Sequence, residues 1–358
     1  MIYSYNNIKQ VHLEMTQKCQ ASCPMCDRNK NGGEVNQYLT DAELSLSDIK
    51  KIFPVEFVKQ LDRIYMCGNH GDPIMAKDTL EVMKYFRECN TKIRLDIITN
   101  GGARSSEWWS ELASIVDQVE FSVDGLEDTN HLYRQGVNWD KVENAIESFT
   151  SAGGNAKWTF LVFNYNEHQV EEAERYSKLL GVKTFSAKKS GRFFSTIKLS
   201  GKSEHQAVNR KGGLAELLSP PTSEKYQNKA LGKEKQIIKV YGSMPKYLDV
   251  TEIDCKATKT KEIYVSAEGL VFPCCWTAGR MYKWWKPLGE EQIWDHINKV
   301  GLDNIDARKT SIQSIVEGKF FSSIEQSWGC SSVSDGKLEV CALKCNREFD
   351  PYTEQWSK

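Results

Sequence analysis

The chain has 358 residues, a hydrophobic share of 40%, a charged share of 27% and a formal net charge of −1. That length can bury a sizeable core and suits one large domain plus a smaller one, while the balanced charge argues against a nucleic-acid or membrane-surface partner. No apolar run approaches the roughly 20 residues that span a bilayer, and Met1 to Gln10 lacks the basic and apolar blocks of a signal peptide, so the expected location is the cytoplasm.

Taken in chain order, the first half alternates strand and helix patterns. A strand at Val11–Met15 precedes a helix over Asp41–Gln60, with apolar spacing at Leu44, Ile49, Ile52 and Phe53. The strand Arg63–Cys67 precedes a helix at Thr79–Cys89, and Ile93–Thr99 a helix at Ser105–Val116. Val119–Val123 leads to a helix at Trp139–Ala152, Trp158–Phe163 to one at Asn166–Leu180, and Val182–Ala187 is the last strand. Such alternation implies βαβ units and a parallel sheet. Six strands are too few for a closed eight-stranded barrel, so a doubly wound sheet or an open partial barrel both fit. In either, functional groups gather at the C-terminal strand ends.

Residues from Gly191 to Leu248 differ in character. They hold Gly212-Gly213, Pro220-Pro221 and the lysines Lys225, Lys229, Lys233, Lys235 and Lys239, with few acids. A connecting region with short helices, partly over the barrel mouth, is expected. A solvated basic face is its plain reading, and a docking surface for an acidic peptide or phosphorylated substrate the sharper one. Aromatics are too sparse for a nucleic-acid groove. Beyond it, Ile263–Pro273 reads as a hairpin.

The 11 cysteines carry the chemistry. An odd number without an export signal does not suggest a disulfide framework. Cys19, Cys23 and Cys26 follow the first strand, six more lie between Cys255 and Cys345, and none lies between Cys89 and Cys255. That spread points to two metal sites. Thiolates hold iron–sulfur clusters, and a four-iron cluster usually takes four. The run Cys19-Gln-Ala-Ser-Cys23-Pro-Met-Cys26 supplies three, which leaves one iron open to a substrate or cofactor. A zinc site with His12 or a distant cysteine as fourth ligand is the alternative. Cys67 and Cys89 read as packing residues, His70 as a turn histidine that could also reach substrate, and the pairs Trp108-Trp109 and Trp284-Trp285 as core or interface.

Over roughly residues 10 to 190 the chain resembles the radical S-adenosylmethionine (radical SAM) superfamily. The family's signature is C-x3-C-x2-C on the loop after the first strand of a partial (β/α)6 barrel. Cys67-Gly68-Asn69-His70-Gly71-Asp72-Pro73 resembles its Gly-Gly-Glu-Pro segment, which implies that Gly68, Asn69, Gly71 and Asp72 meet the amino group of SAM. Thr99-Asn100 and Ser122-Val123-Asp124 resemble the strand ends placed around the SAM methionine and ribose. Met25 falls where the family packs an apolar residue on the adenine, and Asn164 is a candidate from position alone. The resemblance implies a [4Fe–4S] cluster on Cys19, Cys23 and Cys26, with SAM on the open iron. It further implies an electron from a flavodoxin- or ferredoxin-like donor and a 5′-deoxyadenosyl radical that removes hydrogen from substrate.

Cys255, the Gly269 hairpin with Cys274, and Cys341-Ala-Leu-Lys-Cys345 are similar to the SPASM/twitch extension of many such enzymes. That implies a second, auxiliary [4Fe–4S] cluster on Cys255, Cys274, Cys341 and Cys345, with Cys330 or Cys275 as alternative ligands. A structural zinc site is again the competing reading. The expected architecture is therefore α/β: a radical SAM core at 1–190, a basic connecting region at 191–250 and a smaller cysteine-rich auxiliary-cluster domain at 251–358. The leading expectation is modification of a peptide or protein, with a separate peptide-recognition protein as partner. Dehydrogenation of a small alcohol or sugar is the alternative, and a non-enzymatic iron–sulfur or zinc scaffold the third. No catalytic side chain is assigned.

Overall fold

The structure is a computed structural model and describes residues 4–355; positions 1–3 and 356–358, the outer ends of the first and last expected segments, lie outside the described residues. Six strands run in chain order: β1 Gln10–Leu13, β2 Arg63–Met66, β3 Arg94–Thr99, β4 Gln118–Ser122, β5 Ala156–Val162 and β6 Thr184–Lys189. Each pairs in parallel with the one before it. The intervening helices are α1 Leu46–Ile52, α2 Val55–Lys59, α3 Thr79–Cys89, α4 Ser106–Ala113, α5 Asn130–Tyr133, α6 Trp139–Ser151 and α7 Val170–Leu179.

The single helix expected over Asp41–Gln60 is two. Pro54 has no N–H to donate and forces extended backbone before it, so α1 ends at Ile52 and Pro54 caps α2. The first turn also starts late, because Ser45 and Asp48 form a reciprocal capping box. Residues 42–44 instead run beside the loop after β1, with Leu44 N–H on the Met15 carbonyl and Gln17 N–H on that of Ala42. The short α5 carries no sequence periodicity and was not expected. Other boundaries move by four residues or fewer.

The first five strands largely alternate. Val11, Leu13, Ile64, Met66, Leu95, Ile97, Val119, Phe121, Trp158 and Phe160 are all buried on one face. There the helices pack, with Trp109 of α4 and Phe149 of α6 against Phe121, and Trp139 of α6 against Trp158. The opposite face is polar: His12, Arg63, Tyr65, Asp96, Glu120, Lys157 and Thr159 hold one another there by Arg63–Asp96, Lys157–Glu120 and Thr159–Glu120 bonds and a His12–Tyr65 stack. A parallel sheet covered on both faces reads as continuous apolar strands. This one has a hydrophilic inner face, as befits a sheet wrapped around a site.

The hairpin expected at Ile263–Pro273 forms as β11 Glu262–Val265 and β12 Val271–Phe272, after four short strands named next. It joins the main sheet, with β11 parallel to β1, Gln10 opposite Glu262. The sheet thus has eight strands in the order β12-β11-β1-β2-β3-β4-β5-β6 and stays open between β12 and β6, an incomplete barrel.

The connecting region holds more strand than expected. β7 Phe194–Ser195 pairs with β8 Ser200–Gly201, and β9 His205–Val208 with β10 Leu214–Leu218, both antiparallel. The β9–β10 hairpin lies over the cysteine loop, with Val208 N–H on the Asn31 carbonyl and Arg210 on that of Gln20. Helices α8 Lys229–Tyr241 and α9 Met244–Val250 follow, and Lys225, Lys229, Lys233, Lys235 and Lys239 are all exposed. Ile237, Met244, Tyr247 and Leu248 join Leu343 and Phe349 in a second apolar cluster, tying this region to the C-terminal segment. Among the described residues no helix is long and apolar enough to cross a membrane.

Candidate active site

The loop that leaves β1 places Cys23 in the interior and Cys19 and Cys26 half-buried, all three as free thiols. Burial pushes each thiol up, Cys26 to about 11, and the Cys23 sulfur raises both Cys19 and Cys26 further. The three sulfurs therefore sense one another. Two cation or amide groups reach them: Asn100 Nδ2 at 3.7 Å from Cys19 Sγ, and Arg134 Nη1 at 3.8 Å from Cys23 Sγ. A coordinating metal deprotonates such thiols outright, and these donors would then face thiolates. Among the described residues no three His, Cys, Asp or Glu side chains converge on one ion position. A four-iron cluster makes a different demand, since each thiolate meets its own iron. His12, the candidate fourth zinc ligand, has Nε2 2.6 Å from the Cys67 carbonyl and its ring between Tyr65 and Tyr264.

The second loop, residues 67–73, is drawn tightly against the first. Glu14, just past β1, accepts from the N–H groups of His70 and Gly71 at 2.6 and 3.0 Å and from the Tyr264 hydroxyl. Asp72 accepts from Thr99 Oγ1, from Asn100 N–H and from Asn100 Nδ2, at 2.7, 2.8 and 2.6 Å. Its own N–H donates to the Lys18 carbonyl. One carboxylate so fastens the ends of β2 and β3 to the cysteine loop. A Cβ on Gly68 would lie 2.1 Å from the Gly71 oxygen, and one on Gly71 1.8 Å from that of Thr16, so both positions require glycine. Asn69 donates to the Cys275 carbonyl at 2.9 Å and links the loop to the segment that follows the β11–β12 hairpin.

The remaining candidates separate. Asp124 is buried with both oxygens engaged, Oδ2 by Arg134 Nε at 2.7 Å and Oδ1 by Leu161 N–H at 2.6 Å. It holds Arg134 against Cys23 and fixes β4 to β5. Ser122 is half-buried at the end of β4. Met25 lies on the cysteine loop with its carbonyl bonded to Arg192. Asn164 is exposed and tied by its N–H to the Ser219 carbonyl, apart from the others.

In the C-terminal segment one cavity is lined by Cys255, Cys274, Cys341 and Cys345, the four residues read as auxiliary ligands. Cys255 precedes the helix α10 Lys256–Thr260, and Cys274 precedes α11 Cys275–Ala278. Cys341 and Cys345 stand four residues apart at the helix Glu339–Lys344, which brings both to one side. Cys255 is pulled down by a bond with the Cys345 thiol, while burial pushes Cys341 up and Cys274 up to about 11. Trp276, Trp328 and Lys344 complete the wall. Neither reserve cysteine lines it: the Cys275 thiol sits near Cys67 and Glu262, and Cys330 lies beside Gly336.

Sequence reasoning missed Glu14, Arg134 and Lys344. Glu14 had a signal, since it continues the inward alternation of His12. Burial raises its carboxyl from an ordinary value near 4.5 to about 7, against the hydrogen bonds that lower it. The folded chain therefore holds this proton more tightly than the unfolded one, and stability falls as pH rises from about 4.5 to about 7. The loss is on the order of 3 kcal/mol at most. Urea unfolding at pH 5 and 7.5 should show Glu14→Gln with a shallower fall than the parent; an equal fall would contradict it.

The comparisons with known proteins agree with this geometry. Residues 13–176 match the family model described as the radical SAM superfamily. A cofactor-modifying protein of tungsten-containing aldehyde ferredoxin oxidoreductase from Pyrococcus furiosus is 27% identical over 184 residues, 49% of each chain. The chain thus spans about half the length of that curated relative. Among solved structures, anSMEcpe with bound AdoMet (S-adenosylmethionine) superposes with a TM-score of 0.52 at 15% identity, over 97% of this chain and 92% of the other. SuiB of Streptococcus suis, bound to its precursor peptide SuiA, gives 0.57 at 13% identity, over 98% and 77%. These likenesses show a shared fold. Residues 13–176 thus carry a radical SAM domain.

Proposed function

We propose that this protein is a radical SAM enzyme that holds a [4Fe–4S] cluster on Cys19, Cys23 and Cys26. The observation that carries the reading is the three thiols on the loop after β1, against which the glycine-dependent loop 67–73 is fastened by the Glu14 and Asp72 carboxylates. When bound, the cluster with SAM on its open iron supplies reductive cleavage to a 5′-deoxyadenosyl radical. The chain's own residues do the rest. Gly68 and Gly71 let the backbone approach the cofactor, and Asn69 joins that loop to Cys275, just past the hairpin. Asp72, with Thr99 and Asn100, fixes the loop's distance from the thiols. Arg134, positioned by Asp124, lies on the Cys23 sulfur. Met25 and Ser122 complete the proposed SAM contacts.

Cys255, Cys274, Cys341 and Cys345 are proposed to hold an auxiliary [4Fe–4S] cluster, supported by the cavity they share. The division at 190 and 250 into core, connecting region and cysteine-rich segment belongs to this reading, as do the cytoplasm and a flavodoxin- or ferredoxin-like donor. Peptide or protein modification is the leading substrate class. It is supported by a fold shared with a structure that holds a precursor peptide and by the open side of the sheet. A small alcohol or sugar is the second reading, favoured by the polar inner face.

The test is anaerobic reconstitution with iron and sulfide, followed by SAM and dithionite. Release of 5′-deoxyadenosine is expected. An iron-loaded protein that releases none would leave the scaffold reading in its place. Iron analysis of a variant lacking Cys19, Cys23 and Cys26 should still find about four irons per chain, the complement of one cluster.

A further inference from the structure

Lys344 is a buried lysine in an unusual setting, where burial lowers its pKa well below the ordinary lysine value. It is 4% exposed, and its ammonium lies 4.1 Å from the Trp276 ring centroid and 2.8 Å from that of Tyr352. Among the described residues the acids around it are committed to other bases. Asp27 pairs with Lys283, Asp350 with Lys256, and Glu339 with Arg280. Lysine is almost never fully buried without an anionic partner, because dehydration of the charge goes uncompensated. Two aromatic faces return only part of that cost.

The missing negative charge has an obvious source across the cavity. Lys344 lines the same space as Cys255, Cys274, Cys341 and Cys345. Four thiolates around an iron–sulfur core carry a net negative charge. Arg280, the other cation on this side, is already shared between Glu291 and Glu339. Trp276, Trp328, Ile324 and Val340 wall the cavity with apolar surface, so a charge there acts through a low dielectric.

We propose that Lys344 is the built-in counter-charge of the thiolate-bound centre in this cavity, and that it raises the centre's reduction potential by favouring the more negative, reduced state. The proposal rests on the reading of these four cysteines as ligands of an iron–sulfur cluster. Lys344 is a positioning residue here; it touches no substrate. Its ammonium sits against the Trp276 and Tyr352 rings, whose centroids are 4.8 Å apart.

The experiment uses full-length chain in which Cys19, Cys23 and Cys26 are alanine, reconstituted with iron and sulfide, so that only the second centre is read. Its potential is followed by electron paramagnetic resonance during a dithionite titration. Lys344→Met should shift the one-electron reduction equilibrium at least tenfold toward the oxidised form, about 59 mV more negative. Lys344→Arg should restore most of that shift. If Lys344→Met and Lys344→Gln lose iron while Lys344→Arg keeps it, the counter-charge is required for the centre to form, which also supports the proposal. An unchanged potential in iron-loaded Lys344→Met overturns it and leaves the ligand assignment standing. An equal shift in Lys344→Arg overturns it too, since charge would then not be the cause. A parent that binds zinc alone or no metal overturns both the proposal and the auxiliary-cluster reading.

Discussion

Cys23→Ala is expected to remove the iron of one cluster and bring 5′-deoxyadenosine formation down to background. Cys23 is buried, and its sulfur is met by Arg134, itself held by Asp124. With three protein ligands there is none to spare. The loss should exceed the roughly 10- to 100-fold that follows removal of an outer partner of a metal site. Arg134→Met should give an effect of that smaller size. Iron and sulfide analysis with chromatography of the nucleoside product measures both. Cys89→Ala, at the end of α3 and far from either thiol set in sequence, serves as the control and should change neither. Wild-type iron content in Cys23→Ala would refute the ligand assignment.

Gly71→Ala should be nearly as damaging by a different route. The new Cβ would lie 1.8 Å from the Thr16 oxygen and 2.6 Å from its carbon. Both are backbone atoms, so no side chain can turn aside. Forced overpacking costs about 1–3 kcal/mol or more. Here the relief available is displacement of His70 and Gly71 from Glu14 and of Asp72 from Thr99 and Asn100. SAM binding should weaken at least tenfold, equivalent to about 1.4 kcal/mol, and the urea midpoint should fall. Gly153→Ala is the contrast: its φ is +88° but nothing lies within 4 Å of the new methyl, so only backbone strain of about 1 kcal/mol applies. Equal SAM affinity in Gly71→Ala and parent would refute the role given to this loop.

The legible parts of the sequence were those in which partners lie close along the chain. Cys19, Cys23 and Cys26 share one loop, and strand alternation repeats every second residue. α3 was found to the residue because its apolar stripe and ends agree. The helix drawn through Pro54 failed because apolar spacing was allowed to outrank the ring's backbone constraint. Arg134 gave no signal: its place beside Cys23 depends on a one-turn helix and on Asp124, ten residues away. Asn164 follows from strand position alone; its N–H bonds to the Ser219 carbonyl, a partner 55 residues away that no local pattern announces. The four cysteines of the second cavity were legible as a set. Lys344 among them was not, because a lysine in a helix ordinarily points to water.

The alliance of Gln10–Leu13 with Glu262–Val265 has a consequence for how the molecule is made. Until translation passes the later segment, the earliest strand offers its free rim to any extended polypeptide nearby, a recognised hazard for nascent chains. A truncation ending near residue 190 should therefore clump on expression, although it contains Cys19, Cys23 and Cys26. Such distant pairing is also slow to find, so assembly should lag behind synthesis and leave the early thiols accessible to cluster-loading machinery before they are enclosed.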